Sequence, residues 1–311
     1  MSSHRYTIAC LAGDGVGPEL MAEASRALVE VSRLHGFGIT EEHLPFGGEG
    51  VVRFGHRLPR ETRDGYRMAD AVLVASPDDP ALHAVKADLD VCWTVERVRV
   101  GRGDAVVVAP LAPECSRVAV ARAFALARHR RAAVTSIGAS DGWDRLVEAA
   151  ASQTPGLTVE HLTLGEAVGR AGRDSAGFDV VVADTLLGGA FADALATLSG
   201  TSASVARGWL PAAGPGVFAP GAVAAPEEGG FGIVNPTSML LAAGLLLFEG
   251  LGQRPAARTL ERAVEAARLE RTGTPDAMEA GVGATTRDFA DAVIELLPRS
   301  RTDVELMDEA A

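Results

Sequence analysis

The sequence predicts an α/β fold built on a largely parallel sheet, and three features of its pattern support that class. Short apolar runs of strand length alternate with longer segments whose apolar residues recur at helical spacing. A glycine-rich turn, residues 13–18, joins the first predicted strand to the first predicted helix. The 311 residues, 47% hydrophobic and 23% charged, suffice for two domains with cores of their own.

The elements follow in order along the chain. Strands are predicted where apolar residues run consecutively, at residues 6–11, 70–75, 104–108, 132–136 and 178–183. Helices are predicted where apolar residues lie three and four positions apart, at residues 19–36, 118–127, 235–250, 258–270 and 285–297. Residues 200–232 are rich in Gly, Ala, Pro and Ser and are predicted to form the longest loop.

Composition excludes several classes of partner and compartment. The net charge of −12 argues against nucleic acid, which requires a basic surface. The longest apolar run, residues 239–248, is too short to span a bilayer, and the first run is too short for a signal peptide. The three cysteines, Cys10, Cys92 and Cys115, are widely spaced, which predicts a reducing, cytoplasmic location without a disulfide framework or a zinc site.

Four segments carry a resemblance to a known family: residues 11–20 (LAGDGVGPEL), 45–76, 178–198 and 232–251. In this order they resemble the β-decarboxylating dehydrogenases, which comprise the isopropylmalate and isocitrate dehydrogenases. The resemblance implies an isopropylmalate dehydrogenase-like fold, with two α/β domains around a central cleft and a shortened middle domain. The first domain is expected to span residues 1–99 plus 236–311, and the middle domain residues 100–235. A homodimer is also implied, formed through the middle domain.

The family's chemistry uses a lysine and a tyrosine for proton transfer, and both are scarce in this chain. Lys86 is the single lysine among 29 basic residues, and the two tyrosines are Tyr6 and Tyr66. The segment VTSIGASD places Ala139 at the family's lysine and Gly138 at the metal-binding aspartate before it. The arm that carries the family's tyrosine is missing after residue 108.

The family also uses Mg²⁺ or Mn²⁺ and NAD, and several residues that bind them are replaced. The segment TLLGGAFAD places Gly189 at the first metal aspartate and Asp193 at the second, so Asp193 is the remaining candidate metal ligand. The adenine-binding loop, here residues 222–227, lacks the family's histidine. These replacements argue against oxidative decarboxylation with NAD and a divalent metal.

Polar residues at strand ends and in the resembling segments are the candidate site residues. The catalytic candidates are Asp141, Asp184 and Asp193; the substrate-binding candidates are Asp78, Glu96, Arg97, Trp143 and Thr185; and the cofactor-binding candidates are Asp14, Glu227 and Asn235. Each has an ordinary structural alternative: an aspartate in a turn caps a helix, and a tryptophan anchors a core.

Three functions remain open from the sequence. The first is a repurposed enzyme that performs non-redox chemistry on a small acid or a biosynthetic intermediate. The second is a non-catalytic homologue that binds a metabolite or regulates a partner. The third is an NAD-dependent 2-hydroxy acid dehydrogenase with a rewired site. All three imply a small-molecule ligand, with neither nucleic acid nor membrane as partner.

Overall fold

The computed structural model describes residues 4–101, 103–138, 140–201, 204–221, 229–269 and 284–299. The strands are β1 (Arg5–Leu11), β2 (Gly38–His43), β3 (Ala71–Val74), β4 (Val91–Val100), β5 (Gly103–Pro110), β6 (Ala133–Ile137), β7 (Thr158–Leu162), β8 (Val180–Ala183), β9 (Ala206–Pro211) and β10 (Gly216–Pro220). The helices are α1 (Gly17–His35), α2 (Gly48–Phe54), α3 (Arg60–Met68), α4 (Leu82–Asp88), α5 (Ser116–Ala127), α6 (Asp141–Ser152), α7 (Leu164–Ala171), α8 (Leu187–Leu198), α9 (Thr237–Leu245), α10 (Arg254–Leu269) and α11 (Thr286–Glu295). These elements confirm the α/β class.

The chain divides into two compact units. The first unit comprises Met1–Leu89 and Gly214–Ala311, and the second comprises Asp90–Ala213. The sequence placed these boundaries later, after residues 99 and 235. Strand pairing explains the difference: β4 pairs with β5 and β9, so it belongs to the second unit. Strand β10 pairs with β3, so it belongs to the first.

The first unit contains four parallel strands in the order β2-β1-β3-β10. All four residues of β3 are buried, as expected for a parallel strand covered on both faces. Helix α1 packs against α9, α10 and α11. It ends at Gly36, whose φ of 73° is the left-handed conformation that glycine adopts without steric strain. Helix α9 continues into a π-helical turn, Leu246–Gly250.

The second unit contains six strands in the order β9-β4-β5-β8-β6-β7. Strands β4 and β5 form an antiparallel hairpin, and β9 pairs antiparallel with the other edge of β4. Strands β5, β8, β6 and β7 run parallel. Helix α8 packs on β4 and β5, where Phe178, Phe191 and Leu195 are fully buried in one apolar core.

Two predictions from the sequence are wrong. Residues 200–232 are not one long loop, because they contain β9 and β10. Cys92 and Cys115 form a disulfide, with Cα atoms 5.6 Å apart. Pairing of β4 with β5 brings these distant positions together, and the Leu111 amide donates to the Cys92 carbonyl at 2.9 Å. No helix within the described ranges is both long enough and apolar enough to cross a membrane.

Candidate functional site

A pocket of about 280 Å³ lies within the second unit, on the face of the sheet that carries α8. We call it the Arg207 pocket. It is lined by Thr94, Glu96, Ala109, Pro110, Leu111, Leu186, Gly188, Gly189, Asp193, Arg207 and Trp209. Its size is near the lower end of small-molecule sites, so a compact ligand matches it better than a dinucleotide.

Strand register builds the floor of this pocket. In the antiparallel pair β4–β9, Glu96 lies opposite Arg207 and Thr94 lies opposite Trp209. Directly opposed residues on antiparallel strands project to the same face, so all four side chains are neighbours. The alternation along β9 leaves Arg207 and Trp209 half-buried, while Ala206, Gly208 and Leu210 are buried.

Arg207 bridges two carboxylates, and we call this group the Arg207 triad. Its Nε donates to Glu96 Oε2 at 2.7 Å, and its Nη2 donates to Asp193 Oδ1. The two acids differ in environment. Glu96 is 4% exposed, whereas the side chain of Asp193, on α8, is 67% exposed.

Burial raises the pKa of Glu96 above its usual range, although the Arg207 charge opposes that shift. The nearby Asp193 charge adds to the rise. The pKa of Arg207 is also raised: burial favours its neutral form, but the two carboxylates outweigh burial. A buried carboxyl with a raised pKa at an open pocket is a candidate proton donor or acceptor.

The rim of the pocket has two unusual features. A side chain at Gly188 would place its Cβ 2.3 Å from the Ala109 Cβ, so glycine permits α8 to approach β5 closely. Leu186, just before α8, has a φ of 71°, and it is 86% exposed. A leucine in the left-handed region carries backbone strain of roughly 1–3 kcal/mol, which is common beside functional sites.

Among the predicted site residues, Glu96 and Asp193 come together, but Arg97 does not join them. Arg97 follows Glu96 on β4 and therefore projects to the opposite face. There it pairs with Asp104 at 3.0 Å, and Arg130 pairs with the same carboxylate at 3.2 Å. Burial alone would raise the pKa of Asp104, but the two arginines hold it at about 2.

The remaining catalytic candidates lie away from the Arg207 pocket lining. Asp184 follows β8, and its carboxylate accepts from the Thr185 amide at 2.7 Å. The Thr185 hydroxyl is buried, without a hydrogen-bond partner among the described residues. Asp141 is the exposed first residue of α6.

Trp143 is a core anchor. It is buried, and its Nε1 donates to Ser136 Oγ at 3.0 Å. Its ring lies against Gly138, where a Cβ would lie 2.1 Å from the Trp143 Cδ1. Glycine is therefore required at residue 138 for this tryptophan to pack. Ala139, the position aligned with the family's lysine, lies outside the described residues.

Asp14, a cofactor-binding candidate in the first unit, makes its contacts within the protein. Asp14 accepts from the Gly48 amide at 2.6 Å and from Arg57 at 2.8 Å. Arg57 also pairs with the buried Asp79, and we call these three residues the Arg57 triad. Asp78 is exposed.

The last two cofactor-binding candidates, Asn235 and Glu227, give less evidence of a binding site. Asn235 Oδ1 accepts from the Thr237 amide at 2.9 Å, which forms an Asx turn immediately before α9. Glu227 lies outside the described residues.

The side chains of the Arg207 pocket do not fit Mg²⁺ or Mn²⁺. These cations require several oxygen ligands, and Asp193 and Glu96 already neutralise a resident guanidinium. Gly189 offers no ligand, and a Cβ there would lie 3.5 Å from Glu96 Oε1. For NAD, the described candidates Asp14 and Asn235 are engaged in turn and cap contacts. We therefore derive no chemical step through either group.

Arg207 and Trp209 were missed by sequence reasoning, because they lie in the stretch interpreted as a loop. The signal was present in the segment ARGWLP, where small or apolar residues alternate with Arg207, Trp209 and Pro211. That alternation is typical of a strand with one face open.

Comparisons with known proteins identify relatives over almost the whole chain. The family model described as isocitrate/isopropylmalate dehydrogenase matches residues 7–90 and 95–293. The chain is similar to 3-isopropylmalate dehydrogenase of Pseudoalteromonas translucida, with 29% identity over 94% of this chain and 99% of that protein. The Streptococcus pneumoniae enzyme of the same name is also 29% identical, over 93% and 99%.

Solved structures show the same fold. The apo β-decarboxylating dehydrogenase of Thermococcus kodakarensis has a TM-score of 0.81 at 22% identity, covering 98% of this chain and 99% of that one. Isocitrate dehydrogenase of Methylococcus capsulatus has a TM-score of 0.75 at 20% identity, covering 94% and 99%. At these identities the likeness shows the fold alone.

Proposed function

The chain belongs to the isocitrate/isopropylmalate dehydrogenase family, and from this premise we propose that its Arg207 pocket performs non-redox, acid–base chemistry on a small carboxylic acid. One observation carries the proposal: a buried glutamate with a raised pKa is ion-paired to an arginine at the floor of an open pocket. That arrangement supplies an anion anchor and a proton-transfer group within one site.

Arg207 is the anchor in this proposal. Its guanidinium is held from one side by the buried Glu96, while its second partner, Asp193, is largely exposed. A ligand carboxylate of suitable size replaces Asp193 with little desolvation, because the exposed arm of an ion pair is weakly bound. Two parallel hydrogen bonds from a guanidinium to a carboxylate then fix the orientation of the ligand.

Glu96 is the proton-transfer group. Its raised pKa brings its protonation equilibrium closer to neutral pH, where one group both accepts and donates a proton efficiently. Proton removal beside the ligand carboxylate, followed by return at another atom, isomerises the acid; loss of a leaving group instead gives an elimination. Both reactions balance without an external oxidant or reductant.

Loss of the family's metal- and NAD-dependent reaction is part of the proposal. Two observations support it: Arg207 engages the remaining acidic residue of the aligned metal pair, and Trp143 fills the space beside Gly138. The purified protein is expected not to reduce NAD or NADP with isopropylmalate, isocitrate, malate or tartrate in the presence of Mg²⁺ or Mn²⁺. Its affinity for NAD is expected to be weak.

Two other functions have an observation in their favour. A non-catalytic, metabolite-binding homologue agrees with a triad in which both carboxylates already have a cationic partner. A dehydrogenase with a rewired site agrees with the similarity to 3-isopropylmalate dehydrogenases. Turnover assays separate the three functions. Isomerisation or elimination supports the proposal. Binding without turnover supports the non-catalytic homologue, and NAD reduction supports the dehydrogenase.

Calorimetry and turnover with a panel of small mono-, di- and hydroxycarboxylic acids test the site itself. Arg207→Gln is expected to weaken binding of the best acid roughly 10- to 150-fold, the effect of losing a charged hydrogen bond. Glu96→Gln is expected to retain binding and lose turnover. Arg97→Gln is the matched control, since it changes a neighbouring arginine on the opposite face. Equal affinity in Arg207→Gln and wild type would rule out the pocket.

A homodimer through α8 is a further part of the proposal. Only part of the apolar surface of this helix is available to a partner, because Phe191 and Leu195 pack inside the second unit. Leu186 and Leu198 remain exposed and supply an apolar surface for association. Light scattering is expected to give twice the 32.2 kDa chain mass. A concentration-independent monomer in wild type would overturn the dimer, and Leu186→Glu with Leu198→Glu should produce that state.

A further inference from the structure

A second cluster of polar donors lies in the first unit, at the paired strands β1 and β2. Cys10, Glu41 and His43 each offer one ligand atom, and the three atoms lie within 4.8 Å of one another. Strand register explains the cluster: Cys10 pairs with His43 in the parallel ladder, and Ile8 pairs with Glu41. Residues two apart on a strand share a face, so all three donors project to the same side of the sheet.

One atom of the cluster lacks a partner: Oε1 of Glu41 is buried and has no hydrogen-bond partner among the described residues. Glu41 Oε2 lies 3.3 Å from His43 Nε2, and the Cys10 thiol lies 3.8 Å from the Ile8 carbonyl. A buried carboxylate oxygen without a partner costs roughly 1–3 kcal/mol, and a bound cation would remove that cost.

We propose that Cys10, Glu41 and His43 form a binding site for Zn²⁺, with a water molecule as fourth ligand. Thiolate, imidazole and carboxylate are the ligand types that zinc binds in tetrahedral sites. Hard cations such as Mg²⁺ disfavour sulfur, so this donor set selects a borderline transition metal. The site is separate from the Arg207 pocket and independent of its proposed chemistry.

The geometry requires a small adjustment. Tetrahedral zinc with bonds of about 2.0–2.3 Å brings its ligand atoms to roughly 3.3–3.6 Å from one another. His43 is exposed and Glu41 is partly exposed, so side-chain rotation closes the remaining distance and gives the ion an entry path. Cys10 is buried, and burial raises the pKa of its thiol, with the Glu41 charge adding to the rise. This shift opposes coordination, and the charge of the metal must outweigh it by stabilising the thiolate; the thiol proton then leaves to solvent as the metal–sulfur bond forms.

Cobalt titration of the full chain, stripped with chelator and kept free of reductant, tests the site. Co²⁺ is expected to give a thiolate-to-metal charge-transfer band and the intense visible bands of tetrahedral cobalt, and Zn²⁺ is expected to abolish both. Cys10→Ala should remove the charge-transfer band. His43→Gln, a change at an exposed residue, should weaken Co²⁺ affinity at least about tenfold.

Two matched controls should leave the bands unchanged. His161→Gln alters another histidine that contacts carboxylates, but one without a neighbouring thiol in the described contacts. The double variant Cys92→Ala with Cys115→Ala removes the disulfide and retains Cys10. Absence of the charge-transfer band in wild type, its persistence in Cys10→Ala, or wild-type affinity in His43→Gln would each overturn the zinc site.

Discussion

The two units each contain an arginine between two carboxylates, and the two clusters differ in how firmly the buried carboxylate is held. In the Arg57 triad the buried acid is Asp79, and in the Arg207 triad it is Glu96. Each triad also has an exposed acid, Asp14 or Asp193. Each triad therefore has one arginine, one buried acid and one exposed acid, but the hydrogen bonds of the buried acid differ.

Asp79 is fully engaged. Arg57 approaches it with two nitrogens, Nε at 3.2 Å and Nη2 at 2.6 Å, and the Ala81 amide donates to it at 2.8 Å. Glu96 accepts from a single nitrogen of Arg207, and burial raises its pKa. Three donors hold the Asp79 carboxylate in one geometry, whereas Glu96, with a single donor and a raised pKa, retains the capacity to exchange a proton. The comparison thus favours the second unit as the place of the proton transfer that we propose.

The largest expected effect is the loss of Asp79. Asp79→Ala leaves the Ala81 amide and part of Arg57 without their acceptor, and it should reduce the free energy of unfolding by about 2–4 kcal/mol. Urea denaturation measures this change. The neighbouring Asp78 is exposed, so Asp78→Ala should change stability by less than about 0.5 kcal/mol. Similar effects at both positions would contradict the structural role of the Arg57 triad.

A further ion cluster has one acid between two arginines: Asp104 pairs with Arg97 and Arg130. It shows how much an ionised buried acid contributes to stability. The pKa of Asp104 is held at about 2, below the value of about 3.9 in an unfolded chain. Its stabilisation is therefore present above pH 4 and is lost as the pH falls towards 2. Asp104→Asn should be about 2–3 kcal/mol less stable than wild type at pH 7 and nearly equal to it at pH 2.

The titration of stability with pH measures that prediction, with Asp64→Asn as the exposed control. A constant difference between Asp104→Asn and wild type at all pH values would show that packing, and not charge, explains the loss.

At Glu96 we expect a smaller effect on the free energy of unfolding, with the opposite dependence on pH. Its pKa in the folded protein is raised above the value of about 4.3 in an unfolded chain, so ionised Glu96 favours unfolding. Wild type should gain stability relative to Glu96→Gln as the pH falls through that raised pKa. At pH 7 the two proteins should differ by less than about 1 kcal/mol. Parallel stability profiles would remove the distinction between the two triads.

The exposed acids of the two triads, Asp14 and Asp193, should contribute least to stability. The Asp14 side chain is 45% exposed, and Asp193 is more exposed still. Exposed ion pairs contribute roughly 0–1 kcal/mol, so Asp193→Ala should change thermal stability only slightly and lose even that effect in high salt. Asp14→Ala should change it somewhat more, because the Gly48 amide also loses its acceptor. A large, salt-independent loss in Asp193→Ala would make Asp193 structural and argue against its displacement by a ligand.

Much of the fold is visible in the sequence because parallel strands in this chain are continuous apolar runs. Residues 70–75, 104–108 and 178–183 were predicted as strands, and β3, β5 and β8 lie there. Helices α1, α5, α10 and α11 follow from apolar residues at helical spacing. The resembling segments identify the family, which the comparisons confirm. These signals are local, so they predict strands and helices without knowledge of which strands are neighbours.

The candidate site was predicted only in part, since it depends on pairing between distant strands. Glu96 and Asp193 were named from the sequence, but their common partner Arg207 was not. Arg97 was placed beside Glu96, although consecutive residues of a strand face opposite sides.

By itself, the sequence determined the α/β class, the order of most elements and the family. Only the tertiary structure decided the strand register that places Arg207 opposite Glu96, and only it decided that Cys92 reaches Cys115. The physical reason is that hydrophobic periodicity is a property of a short segment, whereas an ion pair or a disulfide requires two segments to meet in one register. That register is selected by the burial of whole strand faces, which no single segment encodes.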